Sequence, residues 1–166
     1  MGASRVEVKI LDERMSRWGL PTYQSDMATG IDLHACVDHS LAIMPQAPAV
    51  LVSSGIAVHI GDPHVAGIIV PRSGLGHRGI VMGNLIGVLD ADYTGPIMLS
   101  VWNRNAFDSG AIVIEPGDRV AQLPFVPIVR PVLELVDTFT RVTERGSGGF
   151  GSTGAASLSN KSRNHA

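Results

Sequence analysis

Two aspartates, Asp90 and Asp92, stand two positions apart in the segment GNLIGVLDADYTG, residues 83 to 95, with Tyr93 beside them. On an extended backbone, side chains two apart project to one side, so the pair would set two carboxylates next to an aromatic ring. A carboxylate so placed can hold a magnesium-bound water or deprotonate an attacking one. Aspartate is equally a turn residue, and spacing alone does not say which of the two acts. A second polar stretch, PRSGLG at 71 to 76, follows the apolar run from Val65 to Val70. Its glycines at 74 and 76 let backbone N–H groups converge on an anion, with Arg72 and the Ser73 hydroxyl as further donors; the alternative is a plain loop. The spacing departs from GxxxxGK[ST], which excludes a P-loop, and His77 and Arg78 read as solvated.

Three further segments carry polar residues that a plain sandwich does not require. In TGIDLHA, residues 29 to 35, Asp32 either caps a turn or joins a metal-linked network, and His34 reads as structural or surface. In RVAQL, residues 119 to 123, three positions separate Arg119 from Gln122, which puts them on opposite faces of an ideal strand. One of the two is then structural: Arg119 paired within the fold, Gln122 turned to a ligand. In RGSGGFGSTG, residues 145 to 154, five glycines surround Arg145, Phe150, Ser152 and Thr153. Such a stretch is either a frayed tail or a segment whose backbone N–H groups and hydroxyls can approach phosphate oxygens.

The balance of the chain excludes several classes. A net charge of −2 without a run of Lys or Arg lacks the footprint of a nucleic-acid binder. Histidines fall at 34 and 39, and again at 59 and 64, a spacing that suits metal ligation on neither helix nor strand. The single Cys36 cannot form an intrachain disulfide, which fits a reducing, cytoplasmic setting. No window approaches the roughly 20 apolar residues of a membrane span, and MGASRV lacks the second signal that stable lipid anchoring needs. Trp18 and Trp102 read as packing residues, since no basic residues interleave with aromatics around them.

Elements that could position these residues are short strands. Apolar runs alternate with period two between Gly, Pro and Asp, beginning with Val6, Val8 and Ile10. Further strands are predicted near 31 to 36, 41 to 44, 49 to 60, 65 to 70, 86 to 90, 96 to 102, 111 to 114, 119 to 125 and 128 to 136. About ten short strands imply an all-β fold, a sandwich or jelly roll. Glu115-Pro116-Gly117-Asp118 suits a type II turn feeding the strand at Arg119. With 45% hydrophobic residues but only 5% aromatic ones, the core must be built from aliphatic side chains, and the positive mean hydropathy points to apolar surface covered by partner subunits. The domain is expected to span 1 to 136, a glycine-rich arm 137 to 154, and a disordered tail 155 to 166.

Taken in order, the five segments resemble the five motifs of the homotrimeric dUTP diphosphatases, the dUTPases. The resemblance runs from VKILDER near residue 8 through Gly154 and includes VWNR at 101 to 104. It implies a jelly-roll subunit, a homotrimer with sites at subunit interfaces, and Mg²⁺-assisted hydrolysis of dUTP to dUMP and pyrophosphate. That reaction limits uracil incorporation into DNA and supplies dUMP for thymidylate synthesis. By resemblance Asp90 activates the water that attacks the α-phosphorus, and Tyr93 packs under the deoxyribose and excludes a 2′-hydroxyl. Asn84 belongs to the pyrimidine pocket, with Gly87, Leu89 and Met98 also at substrate-binding positions. Arg72, Ser73, Gly74 and Gln122 fall on the triphosphate side. Asp32 supports the metal indirectly, through water, the Mg²⁺ being held mainly by the triphosphate. Arg145, Phe150, Gly151, Ser152 and Thr153 form the closing arm.

Uracil presents acceptor, donor and acceptor along one edge, which backbone groups of a hairpin can match; cytosine reverses two of those positions. Unpaired groups left by the wrong base cost about 1–3 kcal/mol each, enough to discriminate without a charged reader. The chain departs from the family pattern in places. One residue fewer than in some bacterial relatives separates GLGH from Gly79, and Pro96-Ile97 stands where a charged or polar residue is common. A dCTP deaminase of the same fold would need a catalytic glutamate near the base, which is lacking here. A dUTPase-like regulatory or binding trimer is the rival from another class.

Overall fold

The computed structural model describes residues 5 to 149. Ten strands and two short helices follow in order: β1 (Glu7–Ile10), α1 (Met15–Trp18), β2 (Gly30–His34), β3 (Leu41–Ile43), β4 (Val50–His59), β5 (Val65–Pro71), α2 (Ser73–Arg78), β6 (Ile80–Met82), β7 (Gly87–Leu89), β8 (Pro96–Asn103), β9 (Ile112–Ile114) and β10 (Arg119–Pro127). They form a four-stranded sheet in the order β1-β4-β8-β6, a second in the order β2-β10-β5-β7, and a two-stranded sheet β3-β9. The named strands all pair antiparallel, and neighbours in each sheet are mostly distant in sequence, as in a jelly roll.

Alternation in the sequence becomes alternation of faces. Along β8, Ile97, Leu99 and Val101 are buried while Pro96 and Met98 are exposed, as period two requires. Ile56 and Val58 from β4 and Leu33 from β2 meet them in one core built almost wholly of aliphatic residues. The turn expected at residues 115 to 118 is present: Gly117 has φ +86°, and the Asp118 N–H donates to the Glu115 carbonyl at 3.0 Å. A Cβ on Gly117 would also lie 2.6 Å from the Trp18 ring, so the turn must be glycine for packing as well.

Two elements depart from the expectation. PRSGLG does not end in an open loop, because residues 73 to 78 wind into α2 and the chain re-enters a sheet at β6, a strand the alternation is too short to announce. Nor is there a strand across 128 to 136. β10 ends at Pro127, Ile128 makes one further bond to the His64 carbonyl at 2.8 Å, and Pro127 and Pro131 have no N–H to donate. The chain divides into a compact unit ending at Arg130 and a second unit beginning at Pro131. In the described part of the second unit no helix or strand forms, and Val132, Leu133 and Leu135 are almost fully exposed. Among the described residues no helix is long and apolar enough to cross a membrane.

Candidate active site

Three of the singled-out side chains, Arg72, Arg119 and Gln122, converge on the carboxylate of Asp32. Asp32 lies opposite Gln122 in the β2–β10 ladder, and His34 lies opposite Arg119. The register slips by one residue between Arg119 and Ala121, so the bulge at Val120 changes the parity of β10. Arg119 and Gln122 therefore share a face, against the expectation for an ideal strand. Asp32, 3% exposed, accepts from Arg119 Nη1 at 3.1 Å on Oδ2. On Oδ1 it meets Arg72 Nε at 3.2 Å and, at the long limit of 3.5 Å, Gln122 Nε2. Arg119 is thus paired within the fold as expected, and Arg72 joins it there.

Arg72 reaches this point because it follows Pro71, the β5 residue paired with Ala121 of β10, and its own N–H donates to the Val120 carbonyl at 3.3 Å. One carboxylate against two guanidiniums leaves one positive charge in excess. Both arginine side chains remain a third or more exposed, with N–H groups to spare for an anion. Ser73 and Gly74 lie exposed in the first turn of α2 directly after Arg72. His34 is 4% exposed and its Nδ1 has no hydrogen-bond partner among the described residues; burial pushes its pKa down, against the pull of Asp32. The imidazole adds no charge to the cluster at neutral pH.

The second group gathers after β7. The backbone turns at Asp90, whose carbonyl accepts from the Tyr93 N–H at 3.1 Å, so the extended geometry that would align Asp90 with Asp92 is not present. Both aspartates nevertheless line one depression of about 460 Å³, with His59, Gly61, Ile128 and Arg130. Tyr93 is held by its hydroxyl, which donates to the Pro96 carbonyl at 2.9 Å, and the ring crosses Gly95 so closely that a Cβ there would lie 2.6 Å from the hydroxyl. Asn84 is exposed in the turn between β6 and β7, where Leu85 takes φ +65°. Gly87 and Leu89 are buried in β7 against β5, and Met98 is exposed on β8. No hydrogen bond or ion pair among the described residues links this group to the Asp32 cluster.

Arg145 lies in the second unit, its Nε donating to the Gly148 carbonyl at 3.0 Å. Phe150, Gly151, Ser152 and Thr153 fall outside the described residues. Among the described residues no three His, Cys, Asp or Glu side chains are arranged to hold a metal ion, and both oxygens of Asp32 are engaged by protein donors. Sequence reasoning quoted Asn103 only within VWNR and missed Asn105 and Gln46, which brace α2 together with it; isolated amide residues carry no periodic signal.

A dUTPase family model matches residues 16–154. The chain is 49% identical over 152 residues to a deoxyuridine 5′-triphosphate nucleotidohydrolase of Enterobacter sp. (strain 638), covering 90% of this chain and 97% of that protein. It is 51% identical over 151 residues to the enzyme of the same name from Xylella fastidiosa (strain M23), covering 90% and 94%. Among solved structures it is similar to a mutant dUTPase of phage 80alpha at 26% identity, with a TM-score of 0.73 over 89% of this chain and 98% of that one. The Staphylococcus bacteriophage 80alpha dUTPase with dUPNHPP is similar at 25% identity and a TM-score of 0.71, covering 92% and 100%. A phage phi11 dUTPase of the same fold, 23% identical with a TM-score of 0.69 over 81% of this chain and 98% of that one, coordinates a structural Mg(II) ion.

Proposed function

The chain belongs to the dUTPase family and is a dUTP diphosphatase, and we propose that it works through the two side-chain groups described above, brought together between copies of the chain. The observation that carries this reading is the Asp32 cluster: two guanidiniums fixed by one buried carboxylate, with a surplus positive charge beside the exposed Ser73. Preorganised donors of this kind suit a polyphosphate, and Gln122 adds an uncharged one.

Phosphoanhydride hydrolysis needs positioning and charge neutralisation more than covalent chemistry. Arg72, Ser73, Gly74, Gln122 and, from the arm, Arg145, Ser152 and Thr153 take the phosphate oxygens. Asp90 orients a water in line with the α-phosphorus and accepts its proton, and pyrophosphate leaves. Tyr93, pinned through its hydroxyl, lies under the deoxyribose. Asn84, Gly87, Leu89 and Met98 bound the pyrimidine pocket, and Phe150 covers the base. Mg²⁺ bound to the triphosphate would neutralise charge on its oxygens, with Asp32 acting on it only through water.

A homotrimer with interfacial sites is supported by two features. Among the described residues no hydrogen bond or ion pair joins the Asp90 group to the Asp32 group, and Val129, Val132, Leu133 and Leu135 are exposed well beyond what a monomer usually leaves bare. Residues 137 to 154 serve as the closing arm in this reading. A free Cys36 suits a cytoplasmic enzyme. Pyrophosphate release from dUTP, dCTP, dTTP and UTP in parallel, with and without Mg²⁺, tests the whole reading. Turnover should be confined to dUTP, depend on Mg²⁺, and fall about a hundredfold or more in Asp90→Asn with nucleotide binding kept. Equal rates on dCTP or UTP, or near-normal turnover in Asp90→Asn, would refute it.

A further inference from the structure

α2 is six residues long, contains Gly74 and Gly76, and connects β5 in one sheet to β6 in the other. A helix so short, with two glycines, cannot hold its own shape; contacts at its ends must do so. At its first end Arg72 is tied to Asp32 and to the Val120 carbonyl. Its last end is tied by the loop that follows β8. The Asn105 Nδ2 donates to the Arg78 carbonyl at 2.9 Å, the Arg104 N–H donates to the Gly79 carbonyl at 2.9 Å, and Arg104 Nη2 reaches the Gly76 carbonyl at 3.3 Å.

Asn105 is itself braced. Its N–H donates to Asn103 Oδ1 at 3.1 Å, and its carbonyl accepts from Gln46 Nε2 at 3.0 Å. Asn103 is fully buried and donates to the Ile43 carbonyl at 2.9 Å, so the brace is rooted in the core. Gly79 ends α2 at φ +119°, and a Cβ there would lie 2.5 Å from the Asn105 amide nitrogen. The Asn105 amide therefore occupies the space that a side chain at position 79 would take.

We propose that Asn105 is a positioning residue for the triphosphate side of the site: by fixing the end of α2 it holds Ser73 and Arg72 in place against Asp32, Arg119 and Gln122. This rests on the reading that Ser73 and Arg72 meet the phosphates. Asn105→Asp keeps the shape but removes the N–H and sets a carboxylate against the Arg78 carbonyl; Asn105→Ala removes the contact altogether. In the full chain, both variants should bind a non-hydrolysable imido analogue of dUTP about fivefold more weakly. Both should bind dUMP, which lacks the outer phosphates, within twofold of the unmodified chain, and amide exchange should quicken in α2 but not in β4 or β8. Equal weakening toward both ligands would overturn the inference, since it would show a general structural role. So would unchanged binding of the analogue. Arg72→Ala, run alongside, separates the two ideas: if it weakens the analogue while the Asn105 variants do not, only the inference fails, and if none of the three does, the phosphate placement fails as well.

Discussion

Arg119 and Gln122 stand three positions apart on one strand, yet both turn to the carboxylate of Asp32. The slip of register at Val120 is what makes this possible, and it gathers two guanidiniums around a single buried acid. Replacing Asp32 by alanine leaves Arg72 and Arg119 facing each other without their counter-charge. Because both arginines are partly solvated, the cost to stability should be only about 1–2 kcal/mol, below that of breaking a fully buried pair. The larger effect should be on substrate: KM for dUTP should rise, and rise more steeply with salt than in the unmodified chain, as fixed geometry gives way to unplaced charge. A KM unchanged at physiological salt would show that Asp32 has no part in placing the arginines.

The sequence carried the fold where its signal is periodic. Ile97, Leu99 and Val101 announce the inward face of β8, and Pro116-Gly117 announces its turn. The signal fails where conformation depends on a partner. The bulge at Val120 leaves no mark in RVAQL, because a register slip is a property of two strands and only one is being read. α2 leaves no signal in PRSGLG, because glycine-rich sequence has low helix propensity and the contacts from Asn105 and Arg104 come from 27 and 28 residues away. Residues 128 to 136 alternate like a strand but find no pairing edge within the described chain. Asp32, Arg72, Arg119 and Gln122, by contrast, stand out in the sequence as polar residues that a strand's packing does not call for, and the fold brings them together.

Tyr93 and Gly95 give a prediction about sugar selection. The Tyr93 ring crosses Gly95, and its hydroxyl is pinned to the Pro96 carbonyl at 2.9 Å. A methyl group at position 95 would meet the ring at well under van der Waals distance, so Gly95→Ala must push the ring away. If the ring excludes a 2′-hydroxyl, kcat/KM for UTP relative to dUTP should rise roughly tenfold, with a smaller loss on dUTP itself. An unchanged ratio, measured as pyrophosphate release from each nucleotide, would remove Tyr93 from sugar discrimination.

Asp12 gives a prediction about acid. Arg14 donates to it at 2.7 and 2.9 Å, and these bonds hold its carboxyl well below the usual carboxylate range. The folded pKa lies below the unfolded one, so the contribution to stability is fully present above about pH 4 and is lost as pH falls through the folded value. Asp12→Asn should therefore be less stable than the unmodified chain at pH 7, and the gap between their urea midpoints should close toward pH 2. The neighbouring Cys36 thiol is pushed up to about 11 by burial and by its bond to Asp12, so it should alkylate slowly at pH 8. A gap that is constant with pH would mean that Arg14 is not holding the ionised form.

Removing everything after Glu144 tests the arm. Among the described residues the buried core lies wholly before that point, Leu123 being its last fully buried residue, and Arg145 Nε donates to the nearby Gly148 carbonyl. Truncation should therefore leave the melting temperature within a few degrees. The deleted residues nevertheless include Arg145, Phe150, Ser152 and Thr153. If, as proposed, Arg145 and the arm hydroxyls meet phosphate, loss of several such charge-assisted donors should lower kcat/KM for dUTP by about a hundredfold or more. Glycine-rich chain costs roughly 1–2 kcal/mol per residue to fix, so its closure has to be driven by phosphate contacts. The full chain should then protect its arm, residues 137 to 154, from protease when the imido analogue of dUTP is bound, and much less when dUMP is bound. Full activity in the truncated chain, or protection that ignores the number of phosphates, would make the arm a tail.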